Sequence, residues 1–119
     1  MKKDCDYYAN EFVEGLLEQQ KAIDELRERA YVRKQEKRYS KAVDKLRESE
    51  EGVQVLARLL NHESPHVALT AAVYLLKTSA EMNAVEVLRK FAKGPKDDFN
   101  AYCAKLRLED WKKEKAQKQ

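Results

Sequence analysis

The sequence predicts an all-α, single-domain protein of about six helices, paired as three antiparallel hairpins in an α-α superhelix. Three glycines and two prolines among 119 residues are too few for the repeated chain reversals of a sheet-rich domain. Apolar residues recur along the chain at helical spacing. Short connections make successive helices antiparallel neighbours, and the central helix is apolar on two sides, which favours stacked hairpins over a closed bundle. We expect residues 1–119 to form one helical-repeat domain.

The first two helices are predicted over residues 6–30 and 35–49. The first has an apolar stripe at period 3.6, consisting of Tyr8, Phe12, Leu16, Ile23, Leu26 and Ala30. The second repeats this pattern with Tyr39, Ala42, Val43 and Leu46. A row of basic residues follows another face of the second helix at steps of four, three and four, namely Lys34, Arg38, Lys41 and Lys45. We call these four residues the basic stripe.

The third and fourth helices have clear start signals. Glu50 and Glu51 suit the positive end of a helix dipole and precede a short apolar helix ending near residue 61. Ser64 is a good N-cap, and Pro65 is well placed at the first helical position, where its missing N–H would be unpaired anyway. Residues 66–78 carry apolar residues on two neighbouring stripes. This predicts a central helix covered on two sides.

The last two helices are bounded by turn residues. Ser79 is the expected cap of the fifth helix, which should end at Gly94 with Pro95 just beyond. Asp97 or Asp98 should cap the sixth helix, which carries apolar residues on two faces, Phe99, Tyr102, Cys103 and Leu106 on one and Ala104, Leu108 and Trp111 on the other. Residues 112–119 are expected to be a frayed basic tail. The facing stripes of the middle helices predict one continuous core that contains Leu59, Leu60, Val67, Ala71, Leu75, Leu88 and Phe91.

Catalytic and metal-binding patterns are missing from the sequence. No nucleophile elbow and no glycine-rich phosphate loop occurs, and each pair of adjacent carboxylates is explained by helix capping. His62 and His66 are four residues apart, but Ser64 and Pro65 interrupt the helix that would bring them together on one metal. We therefore expect a protein that is not an enzyme and uses no metal or cofactor. Without a long apolar run or signal peptide, it should be cytoplasmic and should not bind a membrane.

The basic stripe is the sharpest polar feature, and it has three possible interpretations. Residues 33–47 contain seven basic and two acidic residues, while residues 1–30 contain eight acidic and five basic residues. The stripe is therefore either ordinary surface paired with the acidic first helix, or a site for an acidic protein, or a row of phosphate contacts for nucleic acid. Of these, nucleic acid is the less favoured partner.

The central helix is predicted to present a row of non-core residues, consisting of His66, Thr70, Val73 and Lys77 with Tyr74 at the edge. In helical-repeat proteins, partners commonly dock on the concave face lined by the second helix of each hairpin. We therefore predict one partner-binding face, formed by His66, Thr70, Tyr74 and Lys77 together with the basic stripe.

The segment from Asn61 to Lys77, NHESPHVALTAAVYLLK, resembles the core of a HEAT-type repeat. A leucine pair, Leu59 and Leu60, comes just before this segment. The segment itself begins with a polar turn and continues with proline, a valine two residues later, an alanine pair and leucines. With the upstream NEFVEGLL and the closing LEDW, the chain from about residue 8 to 112 looks like a small bacterial family of HEAT-like α-α superhelical domains. HEAT repeats usually have arginine after that valine, and here the residue is Ala68.

Small HEAT-like proteins of this kind are often partner-binding modules, and some resemble immunity proteins that block a toxin delivered by a neighbouring cell. The resemblance therefore implies a non-enzymatic protein-binding module. Its most concrete form is an immunity protein that neutralises a cognate toxin domain, for instance a nuclease. The alternative is a small nucleic-acid-binding helical repeat that uses the basic stripe.

Overall fold

The computed structural model describes residues 3–117 and confirms the all-α fold with six helices. These are α1 (Cys5–Asp24), α2 (Arg29–Leu46), α3 (Glu50–Arg58), α4 (Pro65–Leu75), α5 (Glu81–Ala92) and α6 (Phe99–Gln117). A 3-10 turn, Leu59–Asn61, follows α3 directly. Within residues 3–117 there is no strand. The described chain measures 42 × 35 × 25 Å, which is elongated in the way that helices laid side by side produce.

The second helices of the three hairpins, α2, α4 and α6, run in the same direction. The start of α4, at His66, shares a cleft with the start of α6, at Phe99. Near the other ends of these two helices, the Nζ of Lys77 lies 3.2 Å from a carboxylate oxygen of Glu114. Lys77 also shares a cleft with Arg47 at the end of α2. This common direction is what stacked antiparallel hairpins require.

The core is formed by the facing sides of all six helices. Phe12 of α1 is fully buried and makes edge-to-face contacts with two half-buried rings, Tyr39 of α2 and Tyr74 of α4, each with centroids 6.2 Å apart. The predicted core cluster is confirmed. Leu60, Val67, Ala71, Leu75 and Leu88 are buried in it, and Leu59 and Phe91 pack against its edge.

Three of the predicted helix ends are also confirmed. The Ser64 hydroxyl accepts a hydrogen bond from the backbone N–H of Val67, and Pro65 is the first residue of α4. The N–H of Gly94 closes α5 by donating to the Phe91 carbonyl. Asp98, rather than Asp97, accepts from the N–H of Asn100 at the start of α6.

The predicted boundary between the first two helices was wrong. We expected helices over 6–30 and 35–49, but α1 ends at Asp24 and α2 begins at Arg29. Leu26 was expected in the apolar stripe of the first helix. It lies in the turn instead, with a positive φ of 56° and 90% of its surface exposed. The end of α1 is closed by two backbone hydrogen bonds, from the N–H of Leu26 to the carbonyl of Ile23 and from the N–H of Arg27 to the carbonyl of Ala22, and the sequence lacks the glycine that usually marks such an end.

Two further expectations need correction. Ser79 does not cap α5, because its hydroxyl donates to the Glu50 carboxylate at the start of α3, and the N-cap position is taken by Ala80. The tail expected at 112–119 is helical through Gln117, where Lys115 pairs at 2.9 Å with Glu81 of α5. Residues 118–119 lie outside the described part of the chain.

Candidate partner-binding surface

The basic stripe is only partly free. The Nε of Arg38 donates to Glu11 and its Nη2 to Glu14, both at 2.7 Å, so this guanidinium fastens α2 to α1. The Arg38 guanidinium also holds the pKa of the Glu11 carboxyl below its usual value. Lys45 lies 3.8 Å from Glu48, whereas Lys34 and Lys41 are exposed and form no ion pair among the described residues. Ion pairing with the acidic first helix therefore explains Arg38 but not the other three bases.

The residues predicted on the central helix are less exposed than the sequence indicated. His66, Thr70, Val73 and Tyr74 are all half-buried. The Thr70 hydroxyl donates to the backbone carbonyl of His66 at 2.7 Å, one turn earlier in α4. Tyr74 rests on the core ring of Phe12. Lys77 is exposed just beyond the end of α4, where its backbone N–H donates to Glu81.

The eight predicted residues do not line one compact site. Arg38, Lys41 and Lys45 line a shallow cleft beside the N-terminal half of α1, together with Glu11. His66 instead lies beside the last turn of α1, near Asp24. Thirteen residues of helix separate Glu11 from Asp24, which corresponds to about 20 Å. Three of the four bases of the basic stripe and the start of the central helix therefore lie beside different ends of α1.

His66 lies in a cleft of about 340 Å³ where α1 ends and where α4 and α6 begin. Its polar lining comes from Gln20, Asp24, His66 and Asn100, and its apolar lining includes Ile23 and Phe99. Burial lowers the pKa of the His66 imidazole, which favours the neutral ring. Its Nε2 atom is buried without a hydrogen-bond partner in residues 3–117. We call this the end cleft.

An exposed apolar surface extends from the end cleft. The Phe99 ring is 74% exposed at the start of α6, and the same outer face of that helix continues with Tyr102 and Leu106. Ile23 is exposed on the α1 side of the cleft, and Leu26 is exposed three residues further along the chain. The largest apolar patch on an ordinary monomer covers about 300–600 Å² and is often functional. We call Ile23, Leu26, Phe99, Tyr102 and Leu106 the apolar patch.

Sequence reasoning missed the apolar patch. It placed Ile23 and Leu26 in a core stripe and noted only that α6 carries apolar residues on two faces. The core covers one of these faces, through the buried residues Ala101, Ala104 and Leu108. The sequence signal of the patch is this two-sided pattern of α6. Ala101 and Ala104 on one face let the helix pack closely on the core, so the larger residues of the other face remain exposed.

Comparisons with protein-family models, curated proteins and solved structures found no match. The HEAT-like family therefore stays a prediction. In the described chain, none of the helices is both long and apolar enough to cross a membrane. Residues 3–117 also contain no cluster of three or more histidine, cysteine, aspartate or glutamate residues placed to hold a metal ion.

Proposed function

We propose that this protein is a non-enzymatic protein-binding module that docks its partner on the apolar patch and the end cleft. The observation that carries the proposal is the exposure of large apolar side chains at and beside one cleft: Ile23 and Phe99 line it, and Tyr102 and Leu106 continue from Phe99 along α6. Interfaces concentrate their binding energy in a few aromatic and other large residues, and Phe99 with Tyr102 offers two adjacent aromatic side chains of this kind. His66, which the sequence analysis predicts to bind the partner, lines the end cleft.

The most concrete form of the proposal is a cytoplasmic immunity protein that binds and neutralises a cognate bacterial toxin domain. This form rests on the HEAT-like resemblance of the segment from residue 61 to 77. A module of this kind needs a rigid scaffold and an exposed surface, which six packed helices and the apolar patch supply. Binding of the toxin domain would then block its active site or its substrate path.

The test is growth of bacteria that express the toxin domain encoded beside this protein's gene, with and without this protein. We expect growth only when the protein is present, and we expect Phe99→Glu to abolish that rescue. Met82→Glu is the matched control, because Met82 is also exposed and apolar but lies on α5, near the opposite end of α6. If no such toxin gene exists, or if the toxin kills equally well in the presence of the protein, the immunity proposal fails.

The exposed lysines of α2, two from the basic stripe and the neighbouring Lys37, support a second candidate function, nucleic-acid binding. Lys34, Lys37 and Lys41 are exposed along α2 and form no ion pair within the described residues. Arg38 is a poor residue to reverse, because a glutamate there would face Glu11 and Glu14 and destabilise the α1–α2 contact. The variant for this test is therefore the triple reversal of Lys34, Lys37 and Lys41 to glutamate.

Phosphate contacts make affinity fall steeply with salt. If this alternative holds, the wild-type protein binds DNA or RNA at low salt and the triple reversal does not, while circular dichroism is unchanged. If the wild-type protein is retained on neither polymer at low salt, the alternative is excluded.

A further inference from the structure

The end cleft combines features that suit one kind of side chain. It presents a carboxylate from Asp24, two side-chain amides from Gln20 and Asn100, and the exposed ring of Phe99. We propose that the end cleft binds an arginine side chain of the protein partner, while the apolar patch covers the neighbouring part of that partner. This inference rests on the proposed protein-binding function and names the chemistry of its partner.

The electrostatics of the cleft favour a cation. Asp24 is the last residue of α1, so its carboxylate adds to the negative end of that helix dipole. The positive ends of α4 and α6 also meet the cleft, and the carboxylate of Asp98, which caps α6, offsets the second of them. Among the described residues, Asp24 forms no ion pair. The nearby Arg27 guanidinium is engaged elsewhere, with its central carbon 4.4 Å from the centroid of the Tyr31 ring. His66 adds no competing charge when its imidazole is neutral.

The shape and polarity of the cleft favour arginine over lysine. A guanidinium is planar, carries five N–H donors and is weakly hydrated, so it can stack on an aromatic face while donating to oxygen acceptors. Phe99 offers the face, Asp24 offers the carboxylate, and the side-chain carbonyls of Gln20 and Asn100 offer further acceptors. A lysine ammonium is a compact and strongly hydrated charge with three donors, so it fits the carboxylate, the ring and the amides less well than the planar guanidinium with five donors.

The occupant belongs to a protein rather than to a free small molecule. At about 340 Å³ the cleft is at the small end of ligand sites, which suits one side chain. Tyr102 and Leu106 continue the exposed apolar surface along α6, beyond the cleft. A single amino acid in the cleft would leave this surface uncovered, whereas a polypeptide that carries the arginine would cover both.

The experiment is a titration of the ¹⁵N-labelled full chain with N-acetyl-arginine amide, followed by NMR chemical shifts. We expect saturable shifts centred on the backbone amides of Ile23, Asp24, His66 and Asn100, with a dissociation constant of about 10 mM. The citrulline analogue has nearly the same shape without the charge, and the lysine analogue has the charge without the plane. Both should bind about tenfold more weakly.

Asp24→Asn should weaken binding of the arginine probe about tenfold, whereas Asp44→Asn, an exposed carboxylate at the end of α2, should leave it unchanged. The proposal is overturned if the arginine probe gives no saturable shifts at the cleft, or if citrulline binds equally well. Neither result would affect the proposed protein-binding function, because that function is tested separately by the growth assay with Phe99→Glu. Conversely, arginine binding without rescue of growth would retain the cleft assignment and remove the immunity function.

Discussion

The contact between α2 and α3 predicts that Gly52→Ala is strongly destabilising. Gly52 lies in the first turn of α3, is buried, and packs directly on the backbone at the end of α2. A Cβ added at this position would lie 2.7 Å from the carbonyl carbon of Leu46 and 2.8 Å from its Cα, and closer still to its carbonyl oxygen. These are backbone atoms, so no side-chain rotation can relieve the overlap.

The magnitude follows from two opposing effects. The carbonyl carbon alone would require the two helix ends to separate by about 0.7 Å to reach an ordinary contact of about 3.4 Å, and the closer carbonyl oxygen requires more. Overpacking of this kind costs about 1–3 kcal/mol. We use the upper part of that range because an entire helix end must move. Replacing glycine by alanine within a helix returns about 1 kcal/mol of helix propensity. The net loss in the free energy of unfolding should therefore be about 2 kcal/mol.

The assay is urea unfolding followed by circular dichroism, with Gly15→Ala as the control. Gly15 is also a buried helical glycine, and a Cβ there would lie 3.1 Å from the Tyr39 Cβ and 3.2 Å from its backbone nitrogen. The helices need to yield by only a few tenths of an ångström, so the gain in propensity should keep this variant within about 1 kcal/mol of wild type. If Gly52→Ala is as stable as Gly15→Ala, the reasoning about the α2–α3 contact is wrong.

Three further predictions concern the core, the α1–α2 ion pairs and the buried histidine. Leu75 is fully buried, so Leu75→Ala should lower the free energy of unfolding by about 2–5 kcal/mol, and a loss below about 0.5 kcal/mol in denaturant would contradict its core position. Arg38→Gln should cost about 1 kcal/mol near neutral pH. Arg38 lowers the pKa of Glu11, so the stability lost in Arg38→Gln should shrink as the pH falls through that lowered pKa and the carboxyl is protonated. A loss of stability that persists in acid would show that Arg38 acts through packing instead. Burial lowers the pKa of His66, so the unfolded chain binds the proton more readily below the ordinary value of 6.5. Wild-type stability should therefore fall relative to His66→Gln as the pH drops below that value, and parallel pH profiles of the two proteins would count against the burial of the ring.

Several helix ends were predictable from the sequence because their stabilising bonds are local. The hydroxyl of Ser64 reaches the backbone N–H of Val67, three residues on, and Asp98 reaches Asn100, two residues on. Gly94 closes α5 on a carbonyl three residues earlier. Each of these bonds joins residues within one turn of the chain, so the residue types alone indicate it.

The turn between α1 and α2 was not predictable in this way. Apolar residues continue at helical spacing past Asp24, and no glycine or proline marks the break. The break is consistent with the pairing of the two helices, in which Gly15 lets the backbone of α2 approach closely at Gln35 and Tyr39. That contact joins residues 20 or more positions apart, and Leu26 adopts a positive φ in the turn that it requires.

The sequence by itself therefore determined the all-α fold, several helix ends and the core residues of the middle helices. It also showed that α6 is apolar on two faces, but only the tertiary structure decided which of these faces is covered. The core packs on Ala101, Ala104 and Leu108, while Phe99 and Tyr102 stay exposed beside Ile23. Periodicity describes each helix separately, whereas the candidate site arises where the end of α1 meets the starts of α4 and α6, and such a meeting depends on packing between residues distant in sequence.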